Sequence, residues 1–221
     1  MSNLRLKPLI IIGGGGHASV LVDLLRSQGR EILGVVSPDD ISNRSAFEGL
    51  RHYRNDEDVL NYSRDEILLV NGIGALPRSD FRKKLSQYYS RHGFMFESVI
   101  SQFAHVSDFA QVESGGQVLT GAIVQAGARI GSHTIINTGA IVEHDCEIGD
   151  FNHVAPGAVL CGHVSTGNNV YIGGGVNIVP NVKIKHNSVI GAGALIIKDI
   201  TESQLVIDSK CQIRKRINND R

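Results

Sequence analysis

From Ile100 onward an aliphatic residue returns at every sixth position. The series runs Ile100, Val106, Val112, Val118, Val124, Ile130, Ile136, Val142, Ile148, Val154, Leu160, Thr166, Ile172, Ile178, Ile184, Ile190 and Ile196, and Thr166 is its one polar member. Four residues after most of these stands a small or β-branched residue, as at Ala104, Ala122, Ala128, Thr134, Ala140, Cys146, Ala158 and Val176. The phase never slips. A sustained six-residue period marks a parallel β-helix, in which each hexapeptide supplies one short strand and one corner. Three hexapeptides close a triangular coil of 18 residues, so residues 100–196 predict a little over five coils. A β-sandwich would instead alternate with period two and turn every ~8–12 residues.

Composition agrees with a fold of many corners. The chain holds 25 glycines and no tryptophan, and 42% of its residues are apolar. That apolar content excludes a disordered chain, and the absence of a Gly-X-Y period excludes collagen. Charge is uneven along the chain. Residues 1–99 carry 25 of the 44 charged residues and residues 100–196 only nine, which places a change of architecture near residue 100. We therefore expect three parts: an α/β domain over 1–99, the β-helix over 100–200 and a tail over 201–221. The end of the tail, Arg214–Arg221, is charged.

Net charge is zero, which argues against a nucleic-acid binder, since phosphate neutralisation needs an excess of Lys and Arg. No apolar run is long enough to span a membrane. The start of the chain, with glycines directly after a short apolar run, does not read as a secretory leader, so a cytoplasmic location is expected. Cys146, Cys161 and Cys211 lack CxxC spacing and read as reduced thiols. At the small inward position of its hexapeptide, Cys146 should be buried and inert.

The first hundred residues alternate strand and helix. Leu9–Ile12 is a short apolar strand, followed by Gly13-Gly14-Gly15-Gly16-His17 and a helix over Ala18–Gln28. Ile32–Val36 and Glu66–Val70 are further strands, Arg54–Leu60 a short helix and Ser79–Arg91 a longer one. This alternation predicts a small Rossmann-like parallel sheet with right-handed crossovers. The turn Gly13-x-Gly15-x-x-Ala18, between a strand and a helix, suits a phosphate: small residues admit backbone N–H groups, and the helix start adds a favourable dipole. The acidic ribose ligand of a dinucleotide fold is absent, because Val36-Ser37-Pro38 stands in its place and Asp39 and Asp40 come late. A mononucleotide or nucleotide-sugar site therefore fits better than NAD, with His17 placed to face the ligand.

Among nine histidines, His144 stands out. It lies in Val142-Glu143-His144-Asp145-Cys146-Glu147. An imidazole beside a carboxylate is suited to general-base chemistry near neutral pH. His52 and His92 sit in polar, exposed segments, and His105, His133, His163 and His186 read as outward or corner residues of the repeat. No HExxH, CxxC or paired-His spacing indicates a metal site. His144, His163 and His186, at intervals of 19 and 23, stack poorly as a three-histidine set.

These features together resemble a known family. The repeat, the IIGGGGHA segment, Asn71-Gly72-Ile73-Gly74 with Arg82-Lys83-Lys84 after it, and EHDCEIGDFNHVAPGA at 143–158 look like bacterial nucleotide-sugar N-acetyltransferases of the left-handed β-helix, hexapeptide-repeat family. The resemblance spans about residues 8–200. It implies a left-handed coil and acetyl-CoA as cosubstrate, with no metal. The implied reaction is acetylation of the 4-amine of a UDP-linked 4-amino-4,6-dideoxy sugar of bacillosamine type, for surface glycans. It further implies His144 as general base, with Asp145 raising its basicity. His153, Gly162, Gly174 and Ala192 would contact acetyl-CoA, and Gly14, Gly15, Gly16, His17, Ser37, Pro38, Asn71, Gly72 and Gly74 the nucleotide sugar. Members with an Asp pair directly after the second strand differ here. An O-acetyltransferase of sialic acid type shares the repeat and the histidine, and a non-catalytic β-helical sugar-nucleotide-binding protein would keep the repeat alone.

One consequence is geometric. His144 and His153 are half a coil apart, so they face opposite sides of one prism. His153, Gly174 and Ala192 fall near one edge, and Gly162 lies one coil after His144. If both histidines serve one site, neighbouring subunits must supply them, which predicts a homotrimer with sites between prisms.

Overall fold

The computed structural model describes residues 6–77 and 79–207. The charged end Arg214–Arg221 and Cys211 lie outside the described residues.

The first part is a four-stranded parallel sheet. Its strands are β1 (Leu9–Ile12), β2 (Ile32–Val36), β3 (Arg51–Tyr53) and β4 (Leu68–Asn71), in the order β3-β2-β1-β4. Every residue of β1 is buried, as its unbroken aliphatic run requires of a strand covered on both faces. Helix α1 (Gly16–Ser27) covers one face through Leu21, Val22 and Leu25. Helix α2 (Phe81–Arg91) covers the other, where Tyr89 packs with Ile10, Ile12, Phe94 and Phe96. The sequence pattern marks β1, β2 and β4 but not β3, a three-residue edge strand in which only Tyr53 is buried; so short and polar a segment shows no periodicity. The short helix lies at Asp56–Asn61 as a 3₁₀ turn.

From Val99 the chain winds as a left-handed parallel β-helix of two-residue strands. Three sheets of seven, six and five strands form its faces. Registers step by 18 residues: Arg129 pairs with Glu147, Ile135 with His153 and Ile141 with Val159. The aliphatic series fills the interior, with Ile130, Ile136, Val142, Leu160 and Ile172 fully buried. The small inward series, including Ala128, Ala140, Cys146 and Ala158, closes the corners of the core.

Thr166 belongs to an inward polar patch. Its Oγ1 accepts from the Gly149 N–H at 3.1 Å and from Asn152 Nδ2. Asn152 Oδ1 accepts from the Val170 N–H, and Thr134 Oγ1 accepts from the Asn152 N–H while donating to Gly149 O. Every polar atom in this patch has a partner, which is what permits polar groups inside an apolar prism. Val99 and Leu119 of the prism pack into the core on the α1 face of the sheet, apart from the prism's own interior.

Candidate active site

His144 and Asp145 stand on the corner between the six- and five-stranded sheets, after Ile141–Val142 and before Glu147–Ile148. Asp145 adopts the left-handed backbone region, with φ of 58°, a conformation that Asp tolerates better than most residues. His144 Nδ1 lies 2.9 Å from Asp145 Oδ2. As the Nδ1–H donor to the carboxylate, the ring keeps Nε2 as its free lone pair. Both side chains are exposed. Gly162, one coil on, lies directly against the ring. A Cβ on Gly162 would sit 2.6 Å from both Cε1 and Nε2 of His144, so only a glycine leaves the imidazole in place. Cys146 is buried, and burial pushes its thiol up to about 11. It is therefore protonated and takes no part as a nucleophile.

His153 begins a strand of the seven-stranded sheet, the face opposite the His144 corner. It is 7% exposed. Burial, followed by the nearby His17 and Arg82, lowers it to about 4, so it is neutral at pH 7. Its tautomer follows from its neighbour. The Thr138 N–H donates to Asn137 Oδ1 at 2.7 Å, which turns the amide nitrogen Nδ2 toward His153 Nε2 at 3.3 Å. The ring proton is then on Nδ1, and Nδ1 is buried without a hydrogen-bond partner. A buried donor of this kind carries a desolvation cost that a ligand oxygen would relieve. Gly174 and Ala192 lie on the next corner column, where the Gly193 N–H donates to Gly174 O and a Cβ on Gly174 would meet only Pro156 O, at 3.4 Å.

The glycine turn opens a cleft of about 680 Å³ lined by Gly13, Gly14, Gly15, Ser37, Pro38, Asp39, Arg44 and Arg54. Ser37 and Pro38 line this cleft, and its charged lining consists of Arg44 and Arg54 with Asp39, Asp40, Asp56 and Glu57. Gly16 is exposed at the first turn of α1.

Three of the residues expected at the ligand do not line this cleft. His17 Nε2 donates to Gln117 Oε1 at 2.7 Å and so faces the prism, not the cleft. Asn71 is spent on Ser86, Arg82 and the Ile73 N–H. Gly72 packs against Ala18 and Ile11. Gly74 lies in a separate narrow pocket with Lys83, His153 and Tyr171.

A buried cation joins the two parts of the chain. Arg82 Nη1 donates to Asn71 O and Ile73 O, and Nη2 to His133 O. Among the described residues no carboxylate pairs with it, and burial lowers it to about 9, which leaves it charged at pH 7. His133, expected as an ordinary corner residue, is instead packed between Phe96 and Phe151 beside Arg82. Arg82 stands in the sequence only as part of the Arg82-Lys83-Lys84 run, and Gln117 carries no signal, because its partners His17 and Asn71 are remote in the chain. His163, also expected to be ordinary, lies with its Nε2 3.7 Å from Asp145 Oδ2. Its 18-residue spacing from Asp145 was the available signal.

Burial and Arg82 hold His17 and His133 at about 4, as His153 is held. An unfolded histidine titrates near ~6.5, so the unfolded chain takes up more protons between that value and about 4. Stability is full above about pH 6.5 and is lost as pH falls toward 4. Thermal unfolding should show Tm falling by on the order of 10 °C between pH 7 and pH 4.5. His17→Gln, which keeps a donor to Gln117 but cannot charge, should show a smaller drop.

Comparisons with known proteins fit this geometry. Residues 8–89 match the PglD N-terminal domain, and residues 127–162 and 163–198 match bacterial transferase hexapeptide (six repeats). No curated protein sequence matches the chain. A histidine-to-asparagine mutant of perosamine N-acetyltransferase from Caulobacter crescentus, in complex with CoA and GDP-perosamine, is 30% identical. The match covers 96% of this chain and 98% of that one, with a TM-score of 0.82. The acetyltransferase domain of PglB from Neisseria gonorrhoeae, in complex with acetyl coenzyme A, is 29% identical over 90% of this chain and 95% of that one, with a TM-score of 0.78. WeeI from Acinetobacter baumannii, at 21% identity over 91% of this chain and 97% of that one, has a TM-score of 0.75 and shares the fold.

Proposed function

Because the chain belongs to the hexapeptide-repeat nucleotide-sugar N-acetyltransferases and is an acetyl-CoA-dependent acyltransferase, we propose that it acetylates the 4-amine of a nucleotide-linked 4-amino-4,6-dideoxy sugar, UDP-linked, for surface glycans. The observation that carries the reading is the His144–Asp145 pair, its free Nε2 held against Gly162. The nucleotide occupies the cleft at Gly13–Gly15, and its diphosphate is met by Arg44 and Arg54. As the amine attacks the thioester carbon, His144 Nε2 removes its proton, and the resulting imidazolium is stabilised by the Asp145 carboxylate. A backbone N–H is suited to the developing oxyanion. Collapse of the tetrahedral intermediate breaks the C–S bond, and the proton completes the released thiol of CoA. Gly162, Gly174 and Ala192 line the path of the acetyl-CoA arm along the prism. No acyl-enzyme is required.

One chain does not hold all of this together. The His144 corner lies opposite the sheet that carries His153 and faces the N-terminal part. A neighbouring subunit in a cyclic trimer therefore completes each site. Co-expressed His144→Ala and His153→Ala chains, mixed evenly, should recover about a quarter of wild-type activity, the share of interfaces in which both histidines are intact. No recovery would mean that one chain supplies both histidines to its own site.

Substrate class is tested by thiol release from acetyl-CoA across UDP- and GDP-linked 4-amino sugars with a sialic acid control. Release with a UDP-linked amine and none with sialic acid is expected. The reverse pattern would make the protein an O-acetyltransferase.

A further inference from the structure

The His144–Asp145 pair has a third neighbour that acetyl transfer does not employ. His163 stands 18 residues after Asp145, at the same corner one coil on, and both residues hold left-handed backbone, with φ of 60° and 58°. The His163 N–H donates to His144 O at 3.0 Å, which ties the two coils at this point. Two imidazole nitrogens and one carboxylate oxygen here lie within 4.8 Å of one another. The Asp145 Oδ2 distances are 2.9 Å to His144 Nδ1 and 3.7 Å to His163 Nε2.

We propose that His144, Asp145 and His163 form a three-ligand site for a borderline divalent cation such as Zn²⁺, and that its occupancy switches off the general base. The proposal rests on the reading of His144 as that base. Two imidazoles and a carboxylate are a suitable zinc donor set, and bond lengths near ~2.0–2.2 Å put tetrahedral ligand atoms roughly 3.3 Å apart. The observed spacings need only small side-chain rotations on a rigid corner. All three side chains are exposed, so the ion keeps a water in its fourth position.

The switch follows from proton accounting. In the free pair the one imidazole proton of His144 sits on Nδ1, and Nε2 is the base. Coordination through Nδ1 moves that proton to Nε2. The ring stays neutral, Asp145 exchanges a hydrogen bond for a metal bond, and no lone pair remains to accept a proton from the amine. The cation is thus inhibitory and dispensable for the reaction.

The test uses full-length, metal-free protein and the variant His163→Asn. Asparagine stands at the equivalent corner one coil on, as Asn181 with φ of 66°, so the variant keeps the backbone. Zn²⁺ is titrated against a chromophoric chelator, and acetyl transfer is followed in parallel at buffered free Zn²⁺. Wild-type chains should bind one ion each and lose transfer with the same midpoint. His163→Asn should keep the metal-free rate and need at least ~10-fold more Zn²⁺ for either effect. Absence of Zn²⁺ binding by wild type, or equal binding by the variant, overturns the site. Binding without inhibition overturns the switch. A metal-free wild type that transfers no acetyl overturns the base reading and the switch with it, while the binding titration still decides the site.

Discussion

Replacing His144 by alanine is expected to lower kcat by on the order of 10²-fold or more, the range that a positioned general base supplies. KM for both substrates should stay within a few-fold, because the side chain meets the amine only as the proton leaves. His144 is exposed and fills no core, so the variant should unfold at the wild-type temperature. Asp145→Asn should lose less than His144→Ala, since Nε2 survives while the carboxylate that stabilises the imidazolium is gone. Steady-state kinetics check both. A His144→Ala enzyme within threefold of wild-type kcat would remove the imidazole from the chemistry.

Gly162→Ala is the second large effect, and the less obvious one. The added methyl would stand 2.6 Å from the reactive end of the imidazole. Gly162 has ordinary backbone geometry, so alanine fits the chain itself and the ring must yield. Turning the ring breaks its 2.9 Å bond to Asp145 and moves Nε2 off the amine. Displacement of a catalytic group by about 1 Å can cost on the order of 10²-fold. We expect kcat to fall by ~10- to 10²-fold, with Tm within a few degrees of wild type. A fully active Gly162→Ala protein would show that the ring is free to find its position elsewhere.

The repeat is where the sequence spoke most clearly, because one period fixes strand, corner and inward face together. The 18-residue coil followed from it, and so did the stacking of Gly162 on His144. The exception at Thr166 was visible, but its reason was not. It depends on Asn152 and Thr134, each inward in a neighbouring coil. His163 was within reach of the same arithmetic, applied from Asp145 instead of from one histidine to the next. Other features had no local signature. β3 is held by pairing with β2, not by its own pattern. His17 follows the glycine turn as a ligand residue would, yet Gln117, 100 positions away, claims its Nε2. Arg82 looked like one member of a basic run, and only the packing of α2 against the prism shows it to be buried.

That packing also bears on the chemistry. Burial at the junction, with Arg82 nearby, keeps His153 an uncharged donor. Arg82 and Gln117 fix the N-terminal cleft relative to its own prism. In the proposed trimer, a rigid junction would hold the sugar amine at a set distance from the corner that the neighbouring subunit presents.

Transfer of an acetyl group from CoA to a sugar amine by means of His144 is tested most directly by isolating the product formed from acetyl-CoA and a UDP-linked 4-amino-4,6-dideoxy sugar, then locating the new acyl group by NMR. One acetyl per sugar is expected, as an amide at the 4-nitrogen, formed in step with thiol release and lost in His144→Ala. An ester on a sugar hydroxyl, or an amide formed equally fast without His144, would contradict it.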